Sequence, residues 1–560
     1  MSTKPVYQIL AEDIKSLGVD SVFGLMSDDI CQLVATLDAI GVRFIGGRQE
    51  SHAIMAAAGY AAASGKLGVA LIGRGPAMAN GIHGSVSASR TGHPVLIISG
   101  EAPILRGATN LLGPDLKAFP AANVLRDIGI ATFVPTSAAS ARQTLADAVA
   151  EASLGRTAAL LLPTDVQTAY TEVADGPSPV KLSVRPAPQK ARQQSIDTAV
   201  AMIKNAKRPL IVGGIGVHRG GARAAVDVLA ERIGALCVST IKAKDLFRGS
   251  PWDMGILGSS SHSLARRHIE QADVVIAIGG ALNSLTMSSG IALPPVPLIH
   301  IDTTRTNIGR WWHADVAVVG DAKLTAEQLV AALPERSAAD KPFHTEDIRK
   351  AIAAFEHTTD FQPQHTARTL DQRILALELS KMLPENRHIV FDGGNFMANW
   401  AYITVPNPGH FTHTQDSGSV GLGFGTTVGV KRAQPDRTVV LFIGDGGMLM
   451  TMGEIETFIR EDLPVIVICM NDAAYGAEVH ILKGQHMPPQ KAEFLDVDFA
   501  PMMEPLGFDA HTIRTMDDLK KLAPLLANPD GPIFIDAKVN VDVIAPFIVE
   551  FTHKDEKKKK

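Results

Sequence analysis

Short, strongly apolar segments of β type alternate with amphipathic helical segments along almost the whole chain. Examples are 68-GVALIG in the first third, 273-DVVIAIGG in the middle and 438-TVVLFIGDGG in the last third. Continuous apolar runs that end at glycine and are separated by helices are typical of strands buried in parallel sheets. The pattern therefore predicts an α/β protein built of doubly wound parallel sheets.

Two polar stretches divide this pattern into three blocks of similar element order. One is rich in proline and serine, 176-GPSPVKLSVRPAPQ, and the other covers about 335–368. A chain of 560 residues is long enough for three or four domains. We predict an N-terminal domain over 1–175, a central domain over 190–335, a C-terminal domain over 365–548 and a flexible tail over 549–560.

Composition excludes several classes of protein. The formal net charge is −5 and aromatic residues make up 5% of the chain, so neither the basic surface nor the stacking platform of a nucleic-acid binder is expected. No run of 18 apolar residues is present and the N-terminus has no signal-peptide core, so we expect no membrane contact. Three cysteines without a Cys-x-x-Cys pair indicate thiols in a reducing compartment, and we expect a cytoplasmic protein.

Polar residues follow two neighbouring strands in the last block. Gly444-Asp445-Gly446 comes after one strand, Asn471 comes after the next, and 24 residues separate Gly446 from Asn471. A right-handed crossover of that length would place Asp445 and Asn471 side by side at the carboxyl edge of the sheet. Two hard oxygen ligands suit Mg²⁺, and glycines let a phosphate approach the backbone. Taken separately, however, each motif is also an ordinary turn or cap.

Together, these residues resemble the thiamine diphosphate binding motif. Over about residues 5–548 the chain is similar to the thiamine diphosphate-dependent family that contains acetolactate synthase, benzoylformate decarboxylase and benzaldehyde lyase. The resemblance implies that Asp445, Asn471 and the main-chain carbonyl of Ala473 bind Mg²⁺, with Gly444 and Gly446 beside the diphosphate. It also implies that the three domains are a pyrimidine-binding, a Rossmann-like and a diphosphate-binding domain.

Two further segments of the C-terminal block resemble cofactor contacts of this family. The stretch 392-DGGNFMANW is similar to a second diphosphate loop, in which Gly394 and Asn395 would contact the cofactor. In the Gly-rich segment that follows, the Gly418 carbonyl would accept a hydrogen bond from the exocyclic amino group of the aminopyrimidine. Val420 would support the bend between the two rings of the cofactor.

The first block contains a candidate for the acid that activates the cofactor. The segment 48-RQESHAIMAAAGYA resembles the family's Arg-His-Glu…Gly-Tyr-Ala pattern, with Gln49 in the position of the histidine. The resemblance implies that Glu50 hydrogen-bonds N1′ of the pyrimidine, although a glutamate is also common in the first turn of a helix. In the family this domain faces the metal-bearing domain of another subunit. The chain is therefore expected to form a homodimer or homotetramer with active sites at the subunit interface.

The middle block contains a near miss of the dinucleotide fingerprint. Gly214, Gly216 and Gly220 follow the strand 209-PLIVG, but the next strand, 235-ALCVST, does not end in an acidic residue that could hold a ribose. We interpret these glycines as packing residues. FAD or ADP in this domain is the alternative that the resemblance leaves open.

The substrate side of the cofactor departs from the family, and its pocket is predicted from position alone. The candidates from one subunit are Ser27, Asp28 and Asp29, and those from the other subunit are His413, Gln415, Tyr475 and His480. The two aspartates are also able to cap the helix predicted from Ile30. Facing the cofactor, they would disfavour an anionic 2-oxo acid and favour a neutral hydroxyketone or aldehyde.

These features predict an enzyme that makes or breaks a C–C bond next to the carbonyl of a small molecule through an enamine intermediate. Because 471-NDAAYGAEVH looks most like benzaldehyde lyase, the first expectation is an acyloin or hydroxyketone lyase or carboligase. The alternatives are a 2-oxo acid decarboxylase or acetolactate synthase-like transferase, a 2-hydroxyacyl-CoA lyase that uses the Lys-rich tail, and a non-catalytic subunit.

Overall fold

The computed structural model describes residues 2–104, 116–173, 178–183, 187–335 and 341–552. Three six-stranded sheets with only parallel pairs follow one another along the chain, and helices pack on both faces of each sheet. The predicted class, three doubly wound α/β units, is therefore confirmed. The Lys-rich segment 554–560 lies outside the described residues, and no helix within the described ranges is long and apolar enough to cross a membrane.

The first sheet has the strand order β3-β2-β4-β5-β7-β6, and β1 pairs with β8 in a separate antiparallel ribbon. Its strands are β1 (Ser2–Pro5), β2 (Ser21–Gly24), β3 (Arg43–Gly46), β4 (Gly68–Ile72), β5 (Val95–Glu101), β6 (Ala131–Phe133), β7 (Thr157–Pro163) and β8 (Tyr170–Val173). Its helices are α1 (Val6–Ser16), α2 (Cys31–Ala39), α3 (Glu50–Ser64), α4 (Pro76–Thr91), α5 (Ala121–Asp127), α6 (Ala138–Ser153) and α7 (Thr164–Thr168).

The second sheet has the order β11-β10-β9-β12-β13-β14. Its strands are β9 (Pro209–Gly213), β10 (Leu236–Ser239), β11 (Asp253–Ile256), β12 (Val274–Ile278), β13 (Leu298–Asp302) and β14 (Val316–Val319). The accompanying helices are α8 (Gln193–Asn205), α9 (Ile215–Arg219), α10 (Arg223–Ile233), α11 (Ser263–Ile269), α12 (Ala322–Ala332) and α13 (Glu346–Ala353).

The third sheet has the order β16-β15-β17-β18-β20-β19. Its strands are β15 (Arg387–Phe391), β16 (Phe411–His413), β17 (Thr438–Gly444), β18 (Ile466–Asn471), β19 (Asp509–Ile513) and β20 (Ile533–Lys538). Its helices are α14 (Gln372–Met382), α15 (Gly423–Ala433), α16 (Asp445–Thr451), α17 (Glu456–Arg460), α18 (Gly476–Gly484), α19 (Ala500–Met503), α20 (Met516–Lys521), α21 (Ala523–Ala527) and α22 (Pro546–Thr552). The last helix continues beyond residue 548, the predicted end of the domain.

Short 3₁₀ segments complete the described structure. They are Ile241–Ala243, Gly258–Ser260, Ser288–Gly290, Arg305–Asn307, His357–Asp360, Asn395–Ala401, Pro408–His410, Gln415–Ser417, Met452–Ile455, Gln490–Ala492 and Glu504–Leu506. Several of them follow strands of the third sheet, at its carboxyl edge. They therefore shape the loops in which open α/β sheets bind their ligands.

Helices α3 and α15 join the N-terminal and C-terminal domains through closely packed backbones. A Cβ atom added at Gly429 would lie 1.8 Å from the Ala56 carbonyl oxygen, and one at Gly59 would lie 2.2 Å from the Thr426 carbonyl oxygen. Only glycine allows such an approach without displacing the partner helix. Because α3 begins at Glu50, this packing fixes the position of that residue relative to the C-terminal domain.

We predict that Gly429→Ala lowers the free energy of unfolding by about 1–3 kcal/mol, because the added methyl group has no space against the Ala56 backbone. Chemical denaturation measures this change. Gly531→Ala is the matched control, since a Cβ there meets nothing within 4 Å. Equal stability of the two variants would contradict the packing described for α3 and α15.

Candidate metal and cofactor site

The ends of β17 and β18 bring Asp445 and Asn471 together. In the parallel pairing of these strands Gly444 lies opposite Met470, and Asp445 and Asn471 are the next residue on each strand. Asp445 then begins α16 and Asn471 ends β18. The structure thus places side by side the two residues that the motif spacing paired.

The Asn471 amide has a fixed orientation. Its Nδ2 donates to Asp536 Oδ1 at 2.9 Å and to the Val497 carbonyl at 3.1 Å, which assigns the other amide atom, Oδ1, as the oxygen. This Oδ1 accepts from the Ala473 N–H at 3.2 Å. Ala473 has φ +55°, a left-handed conformation that is uncommon for a residue other than glycine, and its carbonyl accepts from the Phe494 N–H.

Buried negative charge makes this edge suitable for a cation. The pKa of Asp445 is raised to about 7, mainly by burial and in part by the nearby charge of Asp536. The pKa of Asp472 is also well above its usual range, because the carboxyl is buried and lies beside Asp445. A divalent cation would relieve this repulsion and favour both ionised forms.

Carboxylates alone do not complete a metal site here. Within the described ranges, no group of three or more His, Cys, Asp or Glu side chains is arranged to hold a metal ion. A site at this edge therefore needs amide and main-chain oxygens, such as those of Asn471 and Ala473, beside Asp445. Such an oxygen set fits Mg²⁺, which usually keeps water and substrate phosphate among its ligands.

Asp536 supports the site from β20, although it belongs to none of the sequence motifs. Its second oxygen accepts from the Phe499 N–H at 2.8 Å and lies 3.2 Å from Nζ of Lys538, which is itself almost completely buried. Burial raises the pKa of Asp536, while these hydrogen bonds and the lysine oppose the shift. The signal in the sequence is an acidic residue inside an otherwise apolar strand, 532-PIFIDAKV.

The predicted diphosphate loops are shaped by glycines. A Cβ at Gly446 would lie 2.6 Å from the Tyr475 ring, and Gly394 has φ +143°. The side chain of Asn395 donates to the Val543 carbonyl at 2.8 Å and accepts from a main-chain N–H at residue 545 at 2.9 Å. Asn395 therefore ties the C-terminal segment to this loop, and its contact with a phosphate stays a prediction.

Asp392 holds the segment that would bind the aminopyrimidine. This carboxylate is completely buried and accepts from the Gly421 N–H and the Thr414 hydroxyl, each at 2.6 Å. Burial raises its pKa to about 6. Gly418 is exposed with φ +70°, and Val420 is half-buried. Asp392 thus fixes the chain just beyond the two predicted cofactor contacts.

Glu50 is the first residue of α3 and is half-buried. The preceding Gln49 is the N-cap: its side chain accepts from the His52 N–H at 3.1 Å and donates to the Asn80 carbonyl at 3.3 Å. In the described parts of the chain the Glu50 carboxylate has no hydrogen-bond or ion-pair partner. The glutamine at the family's histidine position thus orients the helix start and leaves the glutamate available.

The expectation that Asp28 and Asp29 repel an anionic substrate is not supported. Lys117 pairs with Asp28 and lowers its pKa, and Lys117 Nζ also lies 3.5 Å from Asp29. The buried Asp29 further accepts from Ser27 Oγ at 2.7 Å and from the Arg74 N–H at 3.1 Å. Both negative charges are therefore compensated. Neither residue caps α2, which begins at Cys31 without a side-chain cap.

The pocket candidates of the C-terminal domain lie in different surroundings. Gln415 lies against the predicted diphosphate loop, because its Nε2 would lie 1.9 Å from a Cβ at Gly393. Tyr475 packs against Gly446 and contacts Phe494 edge-on. His480 is buried on α18, and burial lowers its pKa.

His413 is buried beside Trp400 and Phe411, and burial lowers its pKa to about 4. It lines a cavity of about 530 Å³ between the three domains, together with His218 and Lys242. The structure therefore places His413 at this junction, while Gln415 lies against the predicted diphosphate loop and Tyr475 lies beside Gly446.

The glycines of the middle domain are packing residues in this structure. A Cβ at Gly214 would lie 2.2 Å from the Gly279 carbonyl oxygen, and one at Gly216 would lie 2.7 Å from the Gly279 Cα. The backbone of the loop after β9 is thus pressed against the loop after β12. These contacts favour the packing interpretation over a cradle for a nucleotide diphosphate.

Comparisons with known proteins agree with this architecture. Three family models match the chain: "Thiamine pyrophosphate enzyme, N-terminal TPP binding domain" over residues 5–121, "central domain" over 196–329 and "C-terminal TPP binding domain" over 392–537. The probable acetolactate synthase large subunit of Methanocaldococcus jannaschii is 27% identical over 557 residues, covering 97% of this chain and 93% of that protein.

Two other relatives extend the comparison. The acetolactate synthase large subunit of Haemophilus influenzae is 25% identical over 559 residues, covering 96% of this chain and 94% of that protein. The sulfoacetaldehyde acetyltransferase of Alcaligenes xylosoxydans is 29% identical over 497 residues, covering 82% of this chain and 80% of that protein. The similarity therefore includes all three sheets.

We predict that Asp536→Asn weakens Mg²⁺ binding by about 10–100-fold, because the single amide oxygen cannot accept from Asn471 Nδ2 on one side and from the Phe499 N–H and Lys538 on the other, so the orientation of the Asn471 amide is no longer fixed. Titration calorimetry with Mg²⁺ and thiamine diphosphate measures the affinity. Asp496→Asn is the control, since Asp496 also pairs with Lys538 but lies at the partly exposed end of that pair. An unchanged affinity in the Asp536 variant would contradict the orienting role.

We predict that stabilisation by Mg²⁺ increases between about pH 5 and about pH 8, because the cation competes with the proton on Asp445. The pKa of Asp445 in the folded chain, about 7, exceeds the ordinary value of 3.8, so the metal-free folded chain keeps this proton up to a higher pH than the unfolded chain does. Asp445 therefore makes the metal-free protein less stable as the pH rises from about 4 to about 7. Thermal unfolding with and without Mg²⁺ tests this, and a pH-independent shift in Tm would contradict it.

Proposed function

The chain belongs to the thiamine pyrophosphate enzyme family, and from this premise we propose that it is a Mg²⁺-dependent enzyme of the acetolactate synthase type. In the proposed reaction a 2-oxo acid loses CO₂ and the remaining acyl-derived fragment is joined to a second carbonyl compound. Thiamine diphosphate, the same molecule as thiamine pyrophosphate, supplies the electron sink for such reactions when it is bound. The observation that carries the proposal is the placement of Asp445 and Asn471 at adjacent strand ends.

The residues at the third sheet fit the cofactor's diphosphate and its metal. Asp445, the Asn471 amide oxygen and the Ala473 carbonyl would hold Mg²⁺. The glycine backbone at Gly394 and Gly446 would lie beside the phosphates, where side chains would collide with aromatic rings. The buried carboxylates favour a dicationic ligand, since burial and their mutual repulsion raise the pKa of both groups and disfavour their charged forms.

Glu50 would hold the proton at N1′ of the pyrimidine. Its carboxylate is half-buried, has no partner in the described parts of the chain, and lies at a helix N-terminus capped by Gln49. This environment supports a carboxylate that exchanges a proton with a bound base. The full set of Glu50, Asp445 and Asn471 also argues against a non-catalytic subunit.

A 2-oxo acid is the better substrate class for two reasons. The matched relatives are named acetolactate synthases and a sulfoacetaldehyde acetyltransferase, so the acetolactate synthase-like alternative fits better than a benzaldehyde lyase-like enzyme. In addition, Lys117 and Arg74 compensate Asp28 and Asp29, which removes the electrostatic argument against an anionic substrate.

Large apolar side chains near the site support association of two copies. Leu449 and Met450 on α16 are about half exposed, and Leu495 is 85% exposed. Exposed groups of this kind commonly mark protein interfaces. We propose that these residues are covered in a homodimer or homotetramer, in which the N-terminal domain of one chain faces the metal-bearing domain of another.

The experiment combines substrate tests with Glu50→Gln. We expect the parent protein to release CO₂ from 2-oxo acids and to form a coupled product with a second carbonyl compound. Glu50→Gln should bind the cofactor normally but lose about 10²–10⁴-fold in turnover, the range of a lost general acid or base. Asp445→Ala should lose Mg²⁺-dependent binding.

The exposed Glu172→Gln on β8 is the matched control and should behave as the parent. Cleavage of hydroxyketones to aldehydes without turnover of any 2-oxo acid would overturn the substrate class. A fully active Glu50→Gln protein would overturn the role of Glu50.

A further inference from the structure

A segment of the C-terminal domain contacts the loop that carries Glu50. Residues 454–461, here called the clamp, include the end of the 3₁₀ turn Met452–Ile455, the helix α17 and the residue that follows it. The clamp lies in the same polypeptide segment as Asp445, which begins α16. In the N-terminal domain the clamp contacts β3 and residues 46–48, which lie directly before the helix that starts at Glu50.

Glu454 makes the central contact of the clamp. One carboxylate oxygen accepts from the Arg48 N–H at 2.9 Å, and the other accepts from the Thr457 hydroxyl at 2.9 Å. A Cβ at Gly47 would lie 3.1 Å from the same carboxylate, so the loop backbone runs directly against it. Glu454 thus binds the main chain two residues before Glu50.

Three other contacts of charged side chains hold the loop on both sides of this hydrogen bond. Arg460 donates to the Gly46 carbonyl, and Arg43 donates to the Glu461 carbonyl at 2.9 Å. The exposed guanidinium of Arg48 pairs with Glu456 at 2.7 Å. The contacts of Arg460 and Glu454 reach the loop backbone, whereas the Arg48–Glu456 pair joins two partly exposed side chains.

The burial of Glu454 is unfavourable unless its contacts are maintained. The side chain is 3% exposed, and burial raises its pKa. In the described parts of the chain no lysine or arginine side-chain nitrogen forms an ion pair with its carboxylate, so the charge is stabilised mainly by the two hydrogen bonds. A buried carboxylate depends on correctly placed donors, and the Arg48 N–H is one of them.

We propose that Glu454 is a positioning residue for Glu50: by binding the Arg48 N–H it fixes the start of α3 and so the direction of the Glu50 carboxylate. This inference rests on the proposed function, because it assigns Glu454 a purpose through the role of Glu50. The segment that begins with Asp445 and the residue Glu50 of the same chain are then held in a fixed position relative to each other.

The test compares Glu454→Gln with Glu456→Gln. The first replaces the buried carboxylate, which accepts one hydrogen bond on each oxygen, by an amide of the same shape that has a single acceptor oxygen. The second removes the charge that pairs with the Arg48 and Arg460 side chains and leaves the contact to the Arg48 N–H in place. Two quantities are measured in the full-length protein: amide hydrogen exchange of residues 46–52 without cofactor, and exchange of the C2 proton of bound thiamine diphosphate with D₂O. The affinity for the cofactor with Mg²⁺ and the Tm are recorded in parallel.

For Glu454→Gln we expect faster amide exchange in the loop and C2 exchange slowed by about 10–100-fold, the size of effect that a displaced catalytic group produces. Cofactor affinity should stay within twofold of the parent, because the metal residues are unchanged. Glu456→Gln should keep the parental rate of C2 exchange and the parental cofactor affinity, because it leaves the contact between Glu454 and the Arg48 N–H in place. Gly47→Ala, which presses a methyl group against Glu454 but keeps its charge, should also slow C2 exchange.

Three results would separate the possible failures. If the parent protein does not bind the cofactor with Mg²⁺, the proposed function itself is wrong. If the parent binds the cofactor but Glu454→Gln exchanges the C2 proton at the parental rate, the positioning role is wrong. If exchange in both Glu454→Gln and Gly47→Ala falls only in proportion to loss of folded protein, Glu454 serves stability and the proposal is likewise overturned.

Discussion

Buried negative charge at the ends of β17 and β18 is the constraint on which the rest of the site depends. Asp445 and Asp472 lie together in a place where burial raises the pKa of both carboxyls. The neighbouring Asn471 is held by Asp536 so that its amide oxygen remains on the side opposite that carboxylate. A cation that prefers hard oxygen ligands would relieve the repulsion between these carboxylates, and a cofactor diphosphate would complete the coordination shell of that cation.

The position of Glu50 depends on contacts between domains. The glycines of α3 and α15 bring two helices into backbone contact, and the clamp binds the loop in front of Glu50. Both contacts connect the N-terminal domain to the part of the C-terminal domain that carries the predicted metal ligands. The two chemically important regions are therefore fixed relative to each other within one chain.

Much of the fold follows from the sequence because buried parallel strands have a strong local signal. The apolar run 68-GVALIG corresponds to Gly68–Ile72, and 438-TVVLFIGDGG to Thr438–Gly444. Edge strands are harder to predict: Ala131–Phe133 is only three residues long, and Asp509–Ile513 contains polar residues because it is partly exposed. The adjacency of Asp445 and Asn471 was predictable because crossover handedness converts their spacing into a position.

The supporting residues were not predictable in the same way. Asp536 reaches Asn471 from 65 residues away, and Glu454 reaches Arg48 from 406 residues away, so no local pattern records either contact. The charges of Asp28 and Asp29 were visible, but the pairing with Lys117 arises only in the folded chain. Motif spacing predicted the groups that would touch the cofactor, whereas tertiary contacts determine how those groups are oriented.

A crystal structure of the protein with thiamine diphosphate and Mn²⁺ in place of Mg²⁺ tests the central claim most directly. The account predicts one strong anomalous peak per chain within bonding distance of Asp445, the Asn471 amide oxygen and the Ala473 carbonyl. A cofactor bound with its metal at any other set of residues, or crystals that contain neither, would contradict it.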